Sequence, residues 1–356
     1  MLSLLFHWYK RRFSDPQAIG LLAILLAAFC ILFFFSGLLA PLLVALVLAY
    51  LLEWPVVRLQ RIGCSRSWAT SIVLILFAGI LLVMVLIVAP VAWQQGINLT
   101  RDLPNMLNKL YVSAAALPQR FPALVDAGII DIIVENLRSR LTGLGESLVR
   151  YSLASLVGLM TLMIYLVLVP LMVFFLLKDK EQMLNAVRRV LPRNRGLAGT
   201  VWKEMNQQIT NYIRGKVLEM VVTGVVSWIA FLVLGLNYAL LLAVLVGVSV
   251  LIPYVGALAV TLPVIGVGLF QWGLSSDFWT LMVVYLVIQA LDGNVLVPVL
   301  FSEAVNLHPL VIILSVVIFG GLWGFWGVFF AIPLATLVKA VVRAWPETTP
   351  ERQIAE

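Results

Sequence analysis

Asp292 is the residue of this chain best placed to do chemistry. Between residues 217 and 338 there is no Lys or Arg, and the ionisable side chains other than tyrosine are Glu219, Asp277, Asp292, Glu303 and His308. Asp292 falls near the end of an apolar run that begins at Phe278, and Gly293, Asn294 and Pro298 follow it. A carboxylate at membrane depth is costly unless it faces protein, water or an ion. Gly and Pro so close together interrupt a helix and release backbone carbonyls. Transporters build ion and substrate sites from such parts. The plainer reading is that Asp292 caps a helix at the membrane interface. Residues 278–291 alone fall short of the roughly 20 that a spanning helix needs. A buried, ionised Asp292 would take its partner from Lys216, Arg214, another cytoplasmic base, a bound cation or water.

Four further groups accompany it. His308, ahead of Pro309, either carries or senses protons near neutral pH or caps the helix that follows. Pro253-Tyr254-Val255-Gly256 is either a tight turn at the interface or a break whose carbonyls line a cavity. Arg214 and Lys216 flank Gly215, and Glu219 lies three residues past Lys216, on the same helix face. They are either snorkelling anchors or, with Asp292, a cytoplasmic gate. Gly320, Gly321, Gly324 and Gly327 form a glycine hinge that permits close backbone packing or touches substrate. No HExxH, GxSxG or phosphate-loop pattern occurs, and there are only two histidines. No enzyme activity, catalytic residue, cofactor or ATP hydrolysis is therefore expected. Cys30 and Cys64 are too few for a disulfide framework and are expected to be free. No clustered His, Cys or Glu set suggests a metal site.

The elements that must position these residues belong to a membrane. Of the 356 residues, 62% are hydrophobic and 12% charged, against roughly 25% charged in a soluble domain. The formal net charge of +7 comes from short basic clusters between apolar runs. That pattern gives orientation rather than nucleic-acid binding. The expected fold is an all-α polytopic membrane protein of about eight spans. These include short, interrupted or re-entrant helices, with amphipathic helical hairpins outside the bilayer.

Residues 1–18 read as a cytoplasmic head carrying Lys10, Arg11 and Arg12. Residues 19–91 hold a tight transmembrane hairpin, broken at Ser36, Gly37 and Pro41, and a third span from Trp68. Arg58, Arg61 and Arg66 in the connecting loop place both hairpin ends in the cytoplasm. Trp54 and Trp68 are interfacial anchors. Residues 92–150 carry two helical patterns: Leu103, Met106, Leu107, Leu110, and Ile130, Ile133, Val134, Leu137. Lys/Arg and Asp/Glu are nearly balanced there, six against five, so this segment is expected outside the cytoplasm. Residues 151–177 are a fourth span with Pro170 in it. Residues 178–216 have nine Lys/Arg against three Asp/Glu and read as a cytoplasmic helical hairpin on anionic lipid. Residues 217–343 are the transmembrane core, in which 310–342 fold as two half-length helices. Residues 344–356 are a cytoplasmic tail.

The order and spacing of several motifs carry a resemblance. These are Gln208…Tyr212-Ile213-Arg214-Gly215, Ile252-Pro253-Tyr254-Val255-Gly256, Asp292-Gly293-Asn294…Pro298, Leu307-His308-Pro309, and Gly320-Gly321…Gly324…Gly327…Ala331-Ile332-Pro333. Over residues 208–342 the chain resembles the autoinducer-2 exporter family of bacterial permeases. It departs at Lys216, where many members have Gln, and at Asp292, where Glu is common and keeps the carboxylate. The resemblance implies a permease of the bacterial inner membrane and a homo-oligomer. It implies export of autoinducer-2 or, as in some members, sodium or lithium/proton antiport.

Two functions are therefore expected. The first is a secondary transporter or exporter of a small polar solute, or a cation/proton antiporter, with membrane lipids around it and both termini cytoplasmic. The second is a non-transporting scaffold or accessory protein of envelope assembly or cell division. The polar regions at 92–150 and 178–216 speak for the second.

Overall fold

A computed structural model of the chain describes residues 16–115, 155–190, 196–301 and 307–344. The second outer pattern at 130–148, Glu303, the tail and most of the head lie outside the described residues. Among the described residues every element is a helix: α1 (Pro16–Arg61), α2 (Arg66–Ala115), α3 (Ser155–Lys178), α4 (Lys180–Val190), α5 (Gly196–Val233), α6 (Ala239–Ser249), α7 (Val255–Trp272), α8 (Ser276–Leu291), α9 (Val297–Phe301), α10 (Pro309–Phe329) and α11 (Ala331–Ala344). A π turn, Asp292–Leu296, joins α8 to α9. Six helices are long and apolar enough to cross a bilayer, and Leu22–Phe35, Ile164–Lys178 and Ala239–Ser249 are shorter apolar ones. The chain is thus an all-α polytopic membrane protein, as its hydropathy requires.

Several boundaries differ from those read in the sequence. The break in α1 is carried by Phe35 alone (φ −118°, ψ 17°), and Pro41 and Pro55 lie within helix. α2 is one helix of 50 residues, about 75 Å long, so the third span runs on into the first outer pattern without a loop. α5 likewise runs unbroken through residue 216, where a cytoplasmic hairpin was expected to give way to a span. The helices continue through these points although polar residues stand there, Gln94 to Asp102 with Pro104 in α2 and Arg214 to Lys216 in α5.

The chain divides into two units, residues 1–73, 169–216 and 299–356 on one hand, and 74–168 and 217–298 on the other. In the first unit, Val201, Met205 and Ala340 form a core with Leu25, Ile209, Leu337 and Val341. The buried Tyr212 hydroxyl donates to the Phe329 carbonyl at 2.8 Å. α10 and α11 fold back on each other. Gly324 has φ +58° and ψ −134°, outside the helical region. A Cβ on Gly327 would stand 1.8 Å from the Phe319 carbonyl oxygen. In a straight helix those two residues would be about 12 Å apart along the axis, so the chain has turned round between them. This is the expected pair of short helices. The stretch 309–323 rises about 22 Å, less than a bilayer core of roughly 30 Å.

The second unit holds the counterpart. α6 and α7 reverse at Pro253 and Tyr254, and Tyr254 carries φ +62°. A Cβ on Gly256 would meet the Ser249 carbonyl oxygen at 1.8 Å, so only glycine fits this approach. Phe231, Leu242, Ala243, Val246, Val264, Val267, Leu281 and Tyr285 pack as the core of this unit, with Met106 of α2 and, partly buried, Leu99 and Leu103. The far end of the α6–α7 pair is tied down by polar groups. Gln271 donates to the Gly235 carbonyl at 2.8 Å and accepts from the Asn237 amide at 2.8 Å. The Tyr238 hydroxyl donates to Asp102 of α2.

Candidate functional site

The helix that carries Asp292 continues through the DGN stretch instead of breaking. Ser276–Phe301 is one span of 26 residues. Within it the backbone widens by one residue, so that the Val297 N–H bonds to the Asp292 carbonyl. The expected interruption is thus a π turn, and Asp292 stands inside the span rather than at its cap. Single π turns of this kind recur at functional sites. The physical reason is local. Pro298 offers no N–H to the preceding turn, and the wider register accommodates the loss without ending the helix.

The Asp292 side chain is partly buried and accepts a hydrogen bond from Thr223 of α5, 2.8 Å from Oγ1 to Oδ1. Thr223 is itself 3% exposed. Asp292 forms no ion pair among the described residues, so its partner is a hydroxyl and not a base. Asn294 is exposed, and its Nδ2 donates to the Ala290 carbonyl at 2.9 Å on the same helix. Pro298 is exposed as well.

α5 presents a polar stripe beside this carboxylate. Glu219, Thr223 and Ser227 follow at intervals of four residues and all are buried, so they share one face of the helix. The Ser227 hydroxyl has no hydrogen-bond partner among the described residues. Further along α8, the Tyr285 and Thr261 hydroxyls lie 3.0 Å apart. The packed core beside these groups is apolar, and Ser249 is the other buried polar side chain among the described residues of this unit. The sequence reading missed Thr223, Ser227, Thr261 and Tyr285. The four-residue interval from Glu219 was the available signal.

The remaining candidates lie elsewhere. In the same unit, Gly256 is buried at the α6–α7 reversal and Pro253 partly so. In the first unit, His308 is exposed and caps α10, its Nδ1 accepting from the Leu310 amide at 3.2 Å. Gly320, Gly324 and Gly327 sit at the reversal inside α10. A Cβ on Gly320 would crowd Val328 at 2.7 Å, whereas one on Gly321 would meet open space. Lys216 is 5% exposed, with its Nζ 5.4 Å from the centre of the Phe301 ring. Arg214 lies two residues before it on α5 and is partly buried.

Comparison with known proteins agrees with the fold and the motifs. Residues 22–347 match the AI-2E family transporter. The chain is 76% identical over 347 residues to PerM of Escherichia coli (strain K12), named as a permease, covering 98% of each chain. It is 30% identical over 315 residues to YueF of Bacillus subtilis (strain 168), named as a transport protein, covering 86% of this chain and 84% of the other. It is 27% identical over 325 residues to TqsA of Escherichia coli (strain K12), named as an AI-2 transport protein, covering 90% and 89%. The chain belongs to the AI-2E transporter family.

Proposed function

We propose that the chain is a secondary transporter of the bacterial inner membrane that moves a small polar solute, or exchanges a monovalent cation for protons. The observation that carries this reading is Asp292, which stands within a span on a π turn and receives a hydroxyl donor from the buried Thr223. A carboxylate held this way, with no base paired to it, binds a cation or takes up and releases a proton. The orphaned hydroxyl of Ser227 adds an oxygen ligand on the same face of α5. Autoinducer-2 is the solute suggested by TqsA, which is named as an AI-2 transport protein, and export is the direction tested first.

Purified protein in liposomes gives the test. Uptake or release above protein-free liposomes, for autoinducer-2, sodium, lithium or protons, is expected. No flux for any of them, together with stably co-purifying envelope proteins, would favour the scaffold.

Orientation and assembly belong to the same proposal. Both termini, 53–67 and 178–216 are proposed to be cytoplasmic and 92–150 outside, with the Lys/Arg asymmetry as support. Cysteines introduced at Ser113 and Asn194 should be labelled from opposite sides, and labelling from one side overturns this topology. The chain is proposed to assemble with copies of itself. Native mass spectrometry in mild detergent that shows monomer alone contradicts that.

A further inference from the structure

We propose that Arg66, Lys180 and Arg214, gathered about Glu53, form a binding site for a phosphate group, supplied by an anionic lipid headgroup. Glu53 of α1 accepts from Lys180 at 2.9 Å and from Arg66 at 3.5 Å, both at Oε1. Arg66 also donates through Nε to the Leu177 carbonyl at 2.6 Å, closing the C-terminal end of α3. Glu53 is in addition the charged neighbour of Arg214. Two cations therefore bond one carboxylate and Arg214 lies within reach of its charge, so these four groups together carry two positive charges in excess.

Arg214 shows where the missing anion goes. Its guanidinium makes no hydrogen bond or ion pair among the described residues, and its Nε is shut off from solvent. A guanidinium carries five N–H donors in a planar fork that fits a phosphate edge. The Nε–H is the donor left buried and unmet, which is costly. A phosphate with one or two negative charges meets both the charge excess and the open fork.

Depth points to the lipid as the source. Glu53 and Arg66 lie on either side of the turn between α1 and α2. Trp54 and Trp68, next to them in sequence, are exposed at 54% and 71%, and Arg58 lies over the Trp54 ring at 5.1 Å. Exposed tryptophans mark the level of the headgroups. Lys180, at 38% side-chain exposure, leaves the cluster open on that side.

The test is thermal unfolding of the full-length protein in phosphatidylcholine nanodiscs, titrated either with phosphatidylglycerol in the bilayer or with inorganic phosphate in solution. Phosphatidylglycerol is expected to raise the unfolding midpoint where phosphate at millimolar concentration does not. An equal rise with phosphate alone keeps the site and assigns it to a soluble phosphate. Arg214→Gln should shift the half-point of the lipid titration about fivefold upwards, the loss of one basic contact near the surface. Arg214→Lys should keep most of the effect. Glu53→Gln should move the half-point downwards, because it removes the competing anion, an outcome a merely structural role would not give. If Arg214→Gln does not fold, Lys180→Gln reads the same shift. Absence of any anion-dependent stabilisation in the unaltered protein overturns the proposal. So does an equal loss in Lys203→Gln, an exposed base outside the cluster, since that indicates diffuse surface charge.

Discussion

Glu53 and Asp292 are both carboxylates on long apolar helices, and their surroundings are opposite. Glu53 is held by Arg66 and Lys180, near the turn that joins two helices. Asp292 is held by one hydroxyl, from Thr223, inside a span. A carboxylate between bases ties helices together through charge-assisted hydrogen bonds. One that faces only hydroxyls can exchange its counter-charge, because nothing permanent supplies it. On the proposed function, the difference separates an anchoring carboxylate from the one assigned to transport. It also explains why the absence of Lys and Arg over residues 217–338 matters more for function than the count of acidic residues.

The contrast can be broken first at Glu53. Glu53→Ala leaves the cluster cations without their shared anion. It should lower stability by roughly 1–3 kcal/mol, less than for a fully buried pair because the group is partly exposed. Thermal unfolding in detergent checks this, and the folded fraction should still transport. A drop in stability no larger than that of a surface substitution would show that Glu53 anchors nothing.

Thr223→Val probes the other side. It removes the donor to Asp292 at nearly constant volume and should cost about 1 kcal/mol. If the hydroxyl positions the carboxylate in the working state, flux falls by about fivefold, the same energy expressed as a rate. Unchanged flux would detach Thr223 from the site. Ser227→Ala, one turn further on, should reduce flux with little loss of stability, since its hydroxyl has no protein partner to lose.

A third carboxylate supplies the control. Asp102 also accepts from one hydroxyl, that of Tyr238, which lies in the connection between α5 and α6. Burial, followed by the hydrogen bond to Asp102 and its charge, pushes the Tyr238 phenol up to about 12. The folded state therefore favours the neutral phenol. Its contribution to stability is complete below pH 10 and fades as pH rises from 10 to 12. Ultraviolet titration should show one phenol ionising near 12, moving towards 10 in Asp102→Asn, with flux unaltered. Loss of flux in that variant would place Asp102 on the transport path too, and Asp292 would no longer be set apart from another carboxylate held by one hydroxyl.

Composition and hydropathy made the membrane class legible, because runs this apolar have no other solvent. The reversals at Gly256 and Gly327 were also visible, as glycines and prolines inside apolar runs too short to span. The unbroken helices α2 and α5 were not. Polarity changes along them while the helix persists through Gly96 and Pro104 in α2 and Gly215 in α5, and hydropathy reads only the polarity. The π turn at Asp292 was hidden for a similar reason. Gly293 and Pro298 signal a disturbance, but its form depends on whether neighbouring helices hold the backbone together. Thr223 was missed because a hydroxyl in an apolar helix usually bonds its own backbone, and only α8 beside it reveals another partner.

The central claim is that the charge of Asp292 carries the flux. Its most direct test compares the unaltered protein with Asp292→Asn and Asp292→Glu in liposomes, with flux and thermal stability measured on the same preparations. Asn keeps the size and the acceptor for Thr223 while removing the charge. The account predicts that Asp292→Asn folds with nearly unchanged stability and loses coupled flux, and that Asp292→Glu retains part of it. Normal flux in Asp292→Asn would contradict the account. Failure of that variant to fold would make the carboxylate a structural group and contradict it as well.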